Sequence, residues 1–223
     1  MTELLPCCQH FLGEAPRFFR KRLEAQLALF DRVASVPGDI VELGVGSGVS
    51  LRGWAHLVAF HGPGRTIWGY DTFAGFPRFL PEDGPEVPAL GKRVGGETEC
   101  RDRPATRREV AASLAAFAEH VNIRLVEGDI TSVLPMDWMH ARSPLALVFC
   151  DADTYAPTKA ALDILWPHLA PGGLIVFDEY GQEPWPGETR AVDEWLAANP
   201  GQPLERLSME SGPEALVVKR RGK

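Results

Sequence analysis

The sequence predicts an α/β fold, a parallel sheet with helices on both faces. Three observations carry that expectation. Short runs of branched apolar residues recur along the chain, amphipathic stretches alternate with them, and an acidic residue closes each of the first five runs. A chain of 223 residues suits one domain with a substantial core, and 45% hydrophobic with 24% charged residues is ordinary for a globular protein. The 22 glycines and 19 prolines are spread as turns rather than as low-complexity tracts, which excludes collagen and wholesale disorder.

Taken in order, residues 13–36 place Phe18, Phe19, Leu23, Leu27, Leu29, Phe30 and Val33 at three- and four-residue spacings, the pattern of an amphipathic helix ended by Pro37 and Gly38. Residues 39–43 are a short branched strand closed by glycines, 49–60 a helix, and 66–70 a second strand. Strand, helix, strand implies a right-handed crossover between parallel strands. Between residues 71 and 106 regularity lapses and prolines alternate with glycines, as in a lid or binding loop. A helix over 107–120 and a strand over 123–126 follow. Residues 145–150 form the strongest apolar run; 155–169 read as a helix stopped by Pro171, Gly172 and Gly173, and 174–177 as the next buried strand. A helix over 188–198 and closing strands at 204–207 and 215–218 bring the strand total to seven. The expected organisation is an N-terminal helical extension over 1–38 and one α/β domain over 39–223, with a lid-like insertion at about 74–106.

Thirty acidic against 23 basic residues leave a formal charge of -7, which repels a phosphate backbone, so nucleic acid is not an expected partner. No apolar stretch reaches the ~20 residues that span a bilayer. The opening Met1 to Cys8 segment lacks a basic region and a sustained apolar region, so neither membrane attachment nor secretion is expected, and a cytoplasmic location is. Cys7, Cys8, Cys100 and Cys150 show no metal-binding spacing, and Cys150 reads as core.

In open parallel sheets ligands lie outside the carboxyl ends of the strands. Those ends carry Glu42-Leu43-Gly44-Val45-Gly46-Ser47-Gly48, then Asp71, Glu127-Gly128-Asp129, Asp151-Ala152-Asp153, and Asp178-Glu179. A dinucleotide fingerprint requires a third glycine where Val49 stands, which argues against an NAD-dependent dehydrogenase. An acidic residue ahead of the glycine loop suits a cationic ligand bearing a carboxylate and an amino group. With Asp71 placed for two ribose hydroxyls and Asp129 for an adenine amino group, these positions describe a site for S-adenosylmethionine. The cofactor-binding set is Glu42, Gly44, Gly46, Ser47, Gly48, Ser50, Asp71, Thr72, Phe73, Gly128, Asp129 and Ile130. Asp151, Asp153, Asp178 and Glu179 form a second group. Carboxylates gathered without a basic partner call for a hard divalent cation, and the lack of His or Cys favours Mg²⁺ over zinc.

The glycine loop, the Asp71-Thr72-Phe73-Ala74-Gly75-Phe76-Pro77 segment, Asp151-Ala152-Asp153-Thr154-Tyr155 and Asp178-Glu179 resemble the macrocin O-methyltransferase family. Phe177-Asp178-Glu179 with Trp185-Pro186-Gly187-Glu188 is similar to its deoxysugar (rhamnosyl-type) 3-O-methyltransferase branch. The resemblance implies a Rossmann-like class I methyltransferase fold, metal-dependent methylation of a sugar hydroxyl in natural-product biosynthesis, and a homo-oligomer. It departs from many relatives in having Asp-Glu where they carry Asp-Asp. It implies Mg²⁺ on Asp151, Asp178 and Glu179, and Asp151 or Asp153 as the base for a small-molecule sugar or glycoside acceptor. Trp185 is a candidate to stack on a sugar face, and Arg101, Arg103, Arg107 and Arg108 are candidates for a nucleotide diphosphate or a solvated helix start. The alternatives are a catechol-type O-methyltransferase and a non-catalytic S-adenosylmethionine-binding accessory protein.

Overall fold

The structure, a computed structural model, describes residues 17–62, 64–89, 104–139, 143–209 and 212–219. Its elements run α1 (Arg17–Val33), β1 (Asp39–Leu43), α2 (Val49–His61), β2 (Thr66–Asp71), α3 (Arg107–Ser113), β3 (Asn122–Glu127), α4 (Ile130–Asp137), β4 (Leu145–Cys150), α5 (Tyr155–Ala160), β5 (Leu169–Phe177), α6 (Pro186–Ala198), β6 (Leu204–Arg206) and β7 (Ala215–Val218). Seven strands form one sheet in the order β3-β2-β1-β4-β5-β7-β6. The first five are parallel, whereas β7 runs antiparallel to both β5 and β6.

Side-chain alternation sorts the sheet into two cores. Ile40, Leu147, Phe149, Leu174 and Val176 face Leu29, Phe30 and Val33 of α1 and Leu51, Trp54 and Val58 of α2. Val41, Leu43, Val148, Cys150, Ile175 and Phe177 face Leu134 of α4, Leu162 and Leu165 beyond α5, and Val192 and Trp195 of α6. All six residues of β4 are buried, as a central parallel strand covered on both faces requires. α1 therefore belongs to the same core as the sheet.

Four stretches depart from the sequence-based expectation. α4 is a helix where none is expected; Pro135 inside it hides the pattern, yet Ile130, Leu134 and Trp138 bury a stripe at four-residue spacing. β5 starts at Leu169 and runs through Pro171, Gly172 and Gly173, which read locally as a stop. The glycines stay in the sheet because Gly172 N–H donates to Lys219 O at 2.8 Å and Lys219 N–H to Gly173 O at 2.9 Å. α3 ends at Ser113 rather than at 120, continuing as a 3₁₀ turn over Ala115–Phe117. The helical path after Thr154 changes character as well, passing from α5 into a π turn over Ala161–Leu165 and a 3₁₀ turn over Trp166–His168. No helix among the described residues is long and apolar enough to cross a membrane.

Candidate active site

Sheet register brings the strand ends into line. Leu43 stands opposite both Tyr70 and Cys150, and Cys150 opposite Phe177, so Gly44, Asp71, Asp151 and Asp178 leave the sheet along one edge. The ladder continues one step past the strands: Gly44 N–H donates to Tyr70 O at 2.9 Å, Asp151 N–H to Leu43 O at 2.9 Å, and Asp178 N–H to Cys150 O at 3.0 Å. β1 and β4 are also where strand order reverses, so the connections diverge there and leave a crevice. A cavity of ≈ 410 Å³ opens at that place.

One wall is the glycine loop. Gly44 has φ +87°, and a Cβ on it would lie 1.7 Å from Asp151 O, so only glycine lets the loop pass this close to β4. Asp71 ties the loop to β2: its Oδ2 accepts from Gly46 N–H at 2.8 Å and its Oδ1 from Phe73 N–H at 2.7 Å. That second bond helps hold Phe73 at φ 52°, a left-handed conformation unusual for a bulky residue. Asp129 caps α4, its Oδ1 accepting from Thr131 N–H at 2.9 Å and from the Thr131 hydroxyl at 2.7 Å. Gly44, Gly46, Ser47, Ser50, Asp71, Thr72, Phe73, Asp129 and Ile130 line the cavity, whereas Glu42, Gly48 and Gly128 are not part of its lining.

Glu42 instead lies fully buried beneath the loop, and neither carboxyl oxygen has a hydrogen bond of sound geometry. Burial pushes its pKa up to about 8, with Arg22, Ser50 and Trp54 moderating the rise.

The opposite wall is acidic. One oxygen each of Asp151, Asp153 and Glu179 lie within 4.8 Å of one another, a group able to hold a metal ion. Burial and the neighbouring negative charges raise Asp151 and Glu179 above the ordinary carboxylate range and bring Asp153 to about 7. Asp151 lines the cavity and keeps 21% of its side chain accessible. Asp178 lines the same wall outside that trio: its Oδ2 accepts from Arg22 Nη1 at 2.7 Å while Oδ1 is buried without a partner. Glu188, buried at the start of α6, accepts from Glu179 N–H at 2.8 Å and fixes the backbone that carries Glu179.

Arg22 was not legible as a site residue from motifs, yet it is central: Nη2 pairs with Asp151 as Nη1 does with Asp178. A signal existed. Arg22 and Gln26 fall on the helical stripe that continues through Leu29, Phe30 and Val33, so two polar residues occupy the face the helix buries. Gln26 Nε2 donates to Ser50 O at 2.8 Å and Ser50 Oγ at 3.0 Å. Burial opposes the charge on Arg22, but Asp151, Asp178 and Glu179 outweigh it and hold the guanidinium firmly protonated.

The mouth is aromatic. Phe76 and Trp185 line the cavity and stack with centroids 5.6 Å apart and planes 28° apart, and Phe79 lies 5.2 Å from Phe76. This segment is clamped rather than loose: the buried Asp83 accepts from Leu80 N–H at 2.7 Å and from Tyr155 N–H at 2.6 Å. A Cβ on Gly187 would stand 2.1 Å from Asp83 Oδ1, so α6 closes directly over that clamp. Arg78 reaches from the mouth to Thr131 Oγ1 at 3.0 Å. Arg107 and Arg108 are exposed at the start of α3, His61 is exposed at the end of α2, and Cys150 is a buried free thiol. Arg101, Arg103, His140, Cys7, Cys8, Cys100 and the basic C-terminal residues 220–223 lie outside the described residues.

Comparison with known proteins agrees with this architecture. The chain is 29% identical over 149 residues to mycinamicin III 3''-O-methyltransferase of Micromonospora griseorubida, covering 65% of this chain and 56% of that protein. It is 32% identical over 158 residues to 8-demethyl-8-(2,3-dimethoxy-alpha-L-rhamnosyl)-tetracenomycin-C 4'-O-methyltransferase of Streptomyces olivaceus, covering 65% and 54%. The chain thus spans about half the length of these two curated relatives. Among solved structures, the calicheamicin methyltransferase CalS11 superposes with a TM-score of 0.71 at 28% identity, over 100% of this chain and 95% of that one. Its apo form, a TDP-rhamnose 3'-O-methyltransferase, gives a TM-score of 0.65 at 27% identity, over 100% and 97%. The sheet is that of the class I S-adenosylmethionine-dependent methyltransferases. The Macrocin-O-methyltransferase (TylF) family model matches residues 18–207, nearly the whole of the described fold, and the chain belongs to that family.

Proposed function

We propose that this chain is an S-adenosylmethionine-dependent O-methyltransferase acting on a sugar hydroxyl of a nucleotide-linked deoxysugar or a natural-product glycoside, with Mg²⁺ as its metal. The observation that carries this reading is one cavity with two unlike walls, a glycine loop flanked by Asp71 and Asp129 facing a cluster of carboxylates. The sugar acceptor is supported by relatives whose names specify a rhamnosyl unit or TDP-rhamnose.

The residues fit both groups. Asp71 and Asp129 offer acceptor oxygens spaced along one edge, and Gly44, Gly46 and Ser47 carry a backbone that a ligand can approach closely, with Gly48 behind them at the start of α2. Glu42 and Ser50 support that loop from below, and Thr72, Phe73 and Ile130 shape the far end, with Gly128 outside the lining. Asp178 Oδ1 and Glu179 Oε2, buried without partners, are the oxygens a hard cation would satisfy. In this reading S-adenosylmethionine would supply an electrophilic methyl group, and Mg²⁺ held by Asp151, Asp178 and Glu179 would supply Lewis acidity, although the three carboxylates that converge are Asp151, Asp153 and Glu179, with Asp178 beside them.

The rest falls to the chain's own side chains. Asp71 orients the ribose by accepting its hydroxyls. Asp153 or Asp151 accepts the proton of the acceptor hydroxyl. Phe76 and Trp185 present an apolar surface against which a deoxysugar face can lie, excluding water and fixing the line of attack. A homo-oligomeric, cytoplasmic enzyme completes the proposal, and sedimentation velocity tests the oligomer.

Calorimetric titration with S-adenosylmethionine and with NAD, each with and without Mg²⁺, tests the reading. Binding of S-adenosylmethionine alone, followed by methyl transfer to TDP-rhamnose or a rhamnosyl glycoside that Asp151→Ala abolishes without loss of cofactor binding, is the expected outcome. Binding of NAD, or of neither, overturns it.

A further inference from the structure

Arg22 is a cation already seated in the cluster proposed to hold Mg²⁺. Its guanidinium bridges Asp178, at 2.7 Å, and Asp151, the carboxylate that also belongs to the converging trio with Asp153 and Glu179. The planar fork is matched to two carboxylates at once, and Cζ lies 5.3 Å from the centre of the Phe149 ring, so the side chain is held by charge and by stacking. Only 13% of it is exposed. Yet one guanidinium serves Asp151, Asp153, Asp178 and Glu179, and Asp178 Oδ1 and Glu179 Oε2 remain buried without partners. Those unpartnered oxygens can take a second cation, but one drawn to Asp151 would stand beside the guanidinium, where like charges repel strongly in a medium drier than water.

We propose that Arg22 is the resident counter-cation of the carboxylate cluster and competes with a metal ion for Asp151. Arg22 and a divalent cation exclude one another at Asp151, so filling the metal site withdraws Arg22 and unlatches this end of α1. Because Gln26, one turn along, holds Ser50 beneath the cofactor loop, α1 carries that exchange toward the cofactor wall. This inference rests on the cation reading above.

Titration of the full chain with Mn²⁺, following the free-ion electron paramagnetic resonance signal, compares wild type with Arg22→Gln and Arg22→Lys. Arg22→Gln is expected to bind Mn²⁺ at least tenfold more tightly than wild type, and Arg22→Lys, which keeps the charge but loses the fork, by an intermediate factor. A purely long-range charge effect would leave Arg22→Lys like wild type and overturns the exclusion. In the unmodified protein, the Arg22 Nε–H resonance of a ¹⁵N spectrum should lose its solvent protection as Mg²⁺ saturates the site. That measurement decides the matter even if Arg22→Gln folds poorly. Equal Mn²⁺ affinity in all three proteins, or an Arg22 resonance unmoved by Mg²⁺, overturns this inference and leaves the metal reading standing. Failure of every variant to bind either ion overturns both.

Discussion

At the level of single residues the site is governed by burial of carboxyl groups. Glu42 has an ordinary pKa of 4.5 and is pushed up to about 8 by burial. Between those values the folded chain holds a proton that the unfolded chain has released, so stability falls as pH rises through the window, by at most about 1.4 kcal/mol per pH unit. Glu42→Gln should flatten that slope between pH 5 and 8, read by chemical denaturation at a series of pH values; an unchanged slope would assign it to other groups. Asp71 illustrates a second use of a carboxylate, holding Gly46 and Phe73 by their backbone N–H groups. Asp71→Ala frees Phe73 from its left-handed conformation and removes the proposed ribose contact. Affinity for S-adenosylhomocysteine, measured by calorimetry, should fall at least tenfold.

Residues such as Asp71 and Asp151 were legible because each follows an apolar strand in sequence, and a strand end in a parallel sheet is a ligand position whatever the rest of the chain does. Arg22 was hidden for the opposite reason. It lies 129 residues from Asp151 and 156 from Asp178, and nothing local distinguishes it from the other basic residues of its helix.

Among elements, the segment after β2 shows how a region that reads as a loop can be fixed by one side chain. Asp83 joins Leu80 to the start of α5 and lies under α6. Asp83→Ala leaves two inward N–H groups unsatisfied, at a cost of roughly 1–3 kcal/mol. A lowered melting temperature together with faster proteolysis between residues 74 and 89 is the expected result; a lower melting temperature without the local cleavage would mean that the clamp holds α5 and α6 rather than the mouth. β5 and α4 carry a related lesson. Pro171, Gly172 and Gly173 form a strand because Lys219 supplies partners from another part of the sheet, and Pro135 is tolerated because Ile130, Leu134 and Trp138 still reach the core. Local propensity lost to tertiary pairing in both places.

The whole molecule is a sheet whose two faces are buried and whose carboxyl edge is reserved for chemistry. Leu147, fully buried at the centre of β4, packs into the core under α1 and α2, so Leu147→Ala should cost about 2–5 kcal/mol of stability without touching the cavity lining. A cation bound only to the folded chain raises its stability by mass action, about 2.7 kcal/mol at a hundredfold excess over Kd. Thermal unfolding should therefore shift upward with Mg²⁺ in wild type and stay fixed in Asp151→Ala. An equal shift in both proteins would place the ion elsewhere.

By itself the sequence determined the alternation of strands and helices, the strand ends that carry Gly44, Asp71, Asp129, Asp151 and Asp178, and the family resemblance, because periodicity and short motifs are properties of neighbouring residues. Only the tertiary structure decided that Arg22 enters the carboxylate cluster, that Asp83 locks the mouth, and that Glu42 sits below the cavity rather than in its wall. Those outcomes depend on how the crossovers fold α1 and the segment after β2 back over the carboxyl edge, and the resulting juxtapositions set burial and charge at distances that no local pattern encodes.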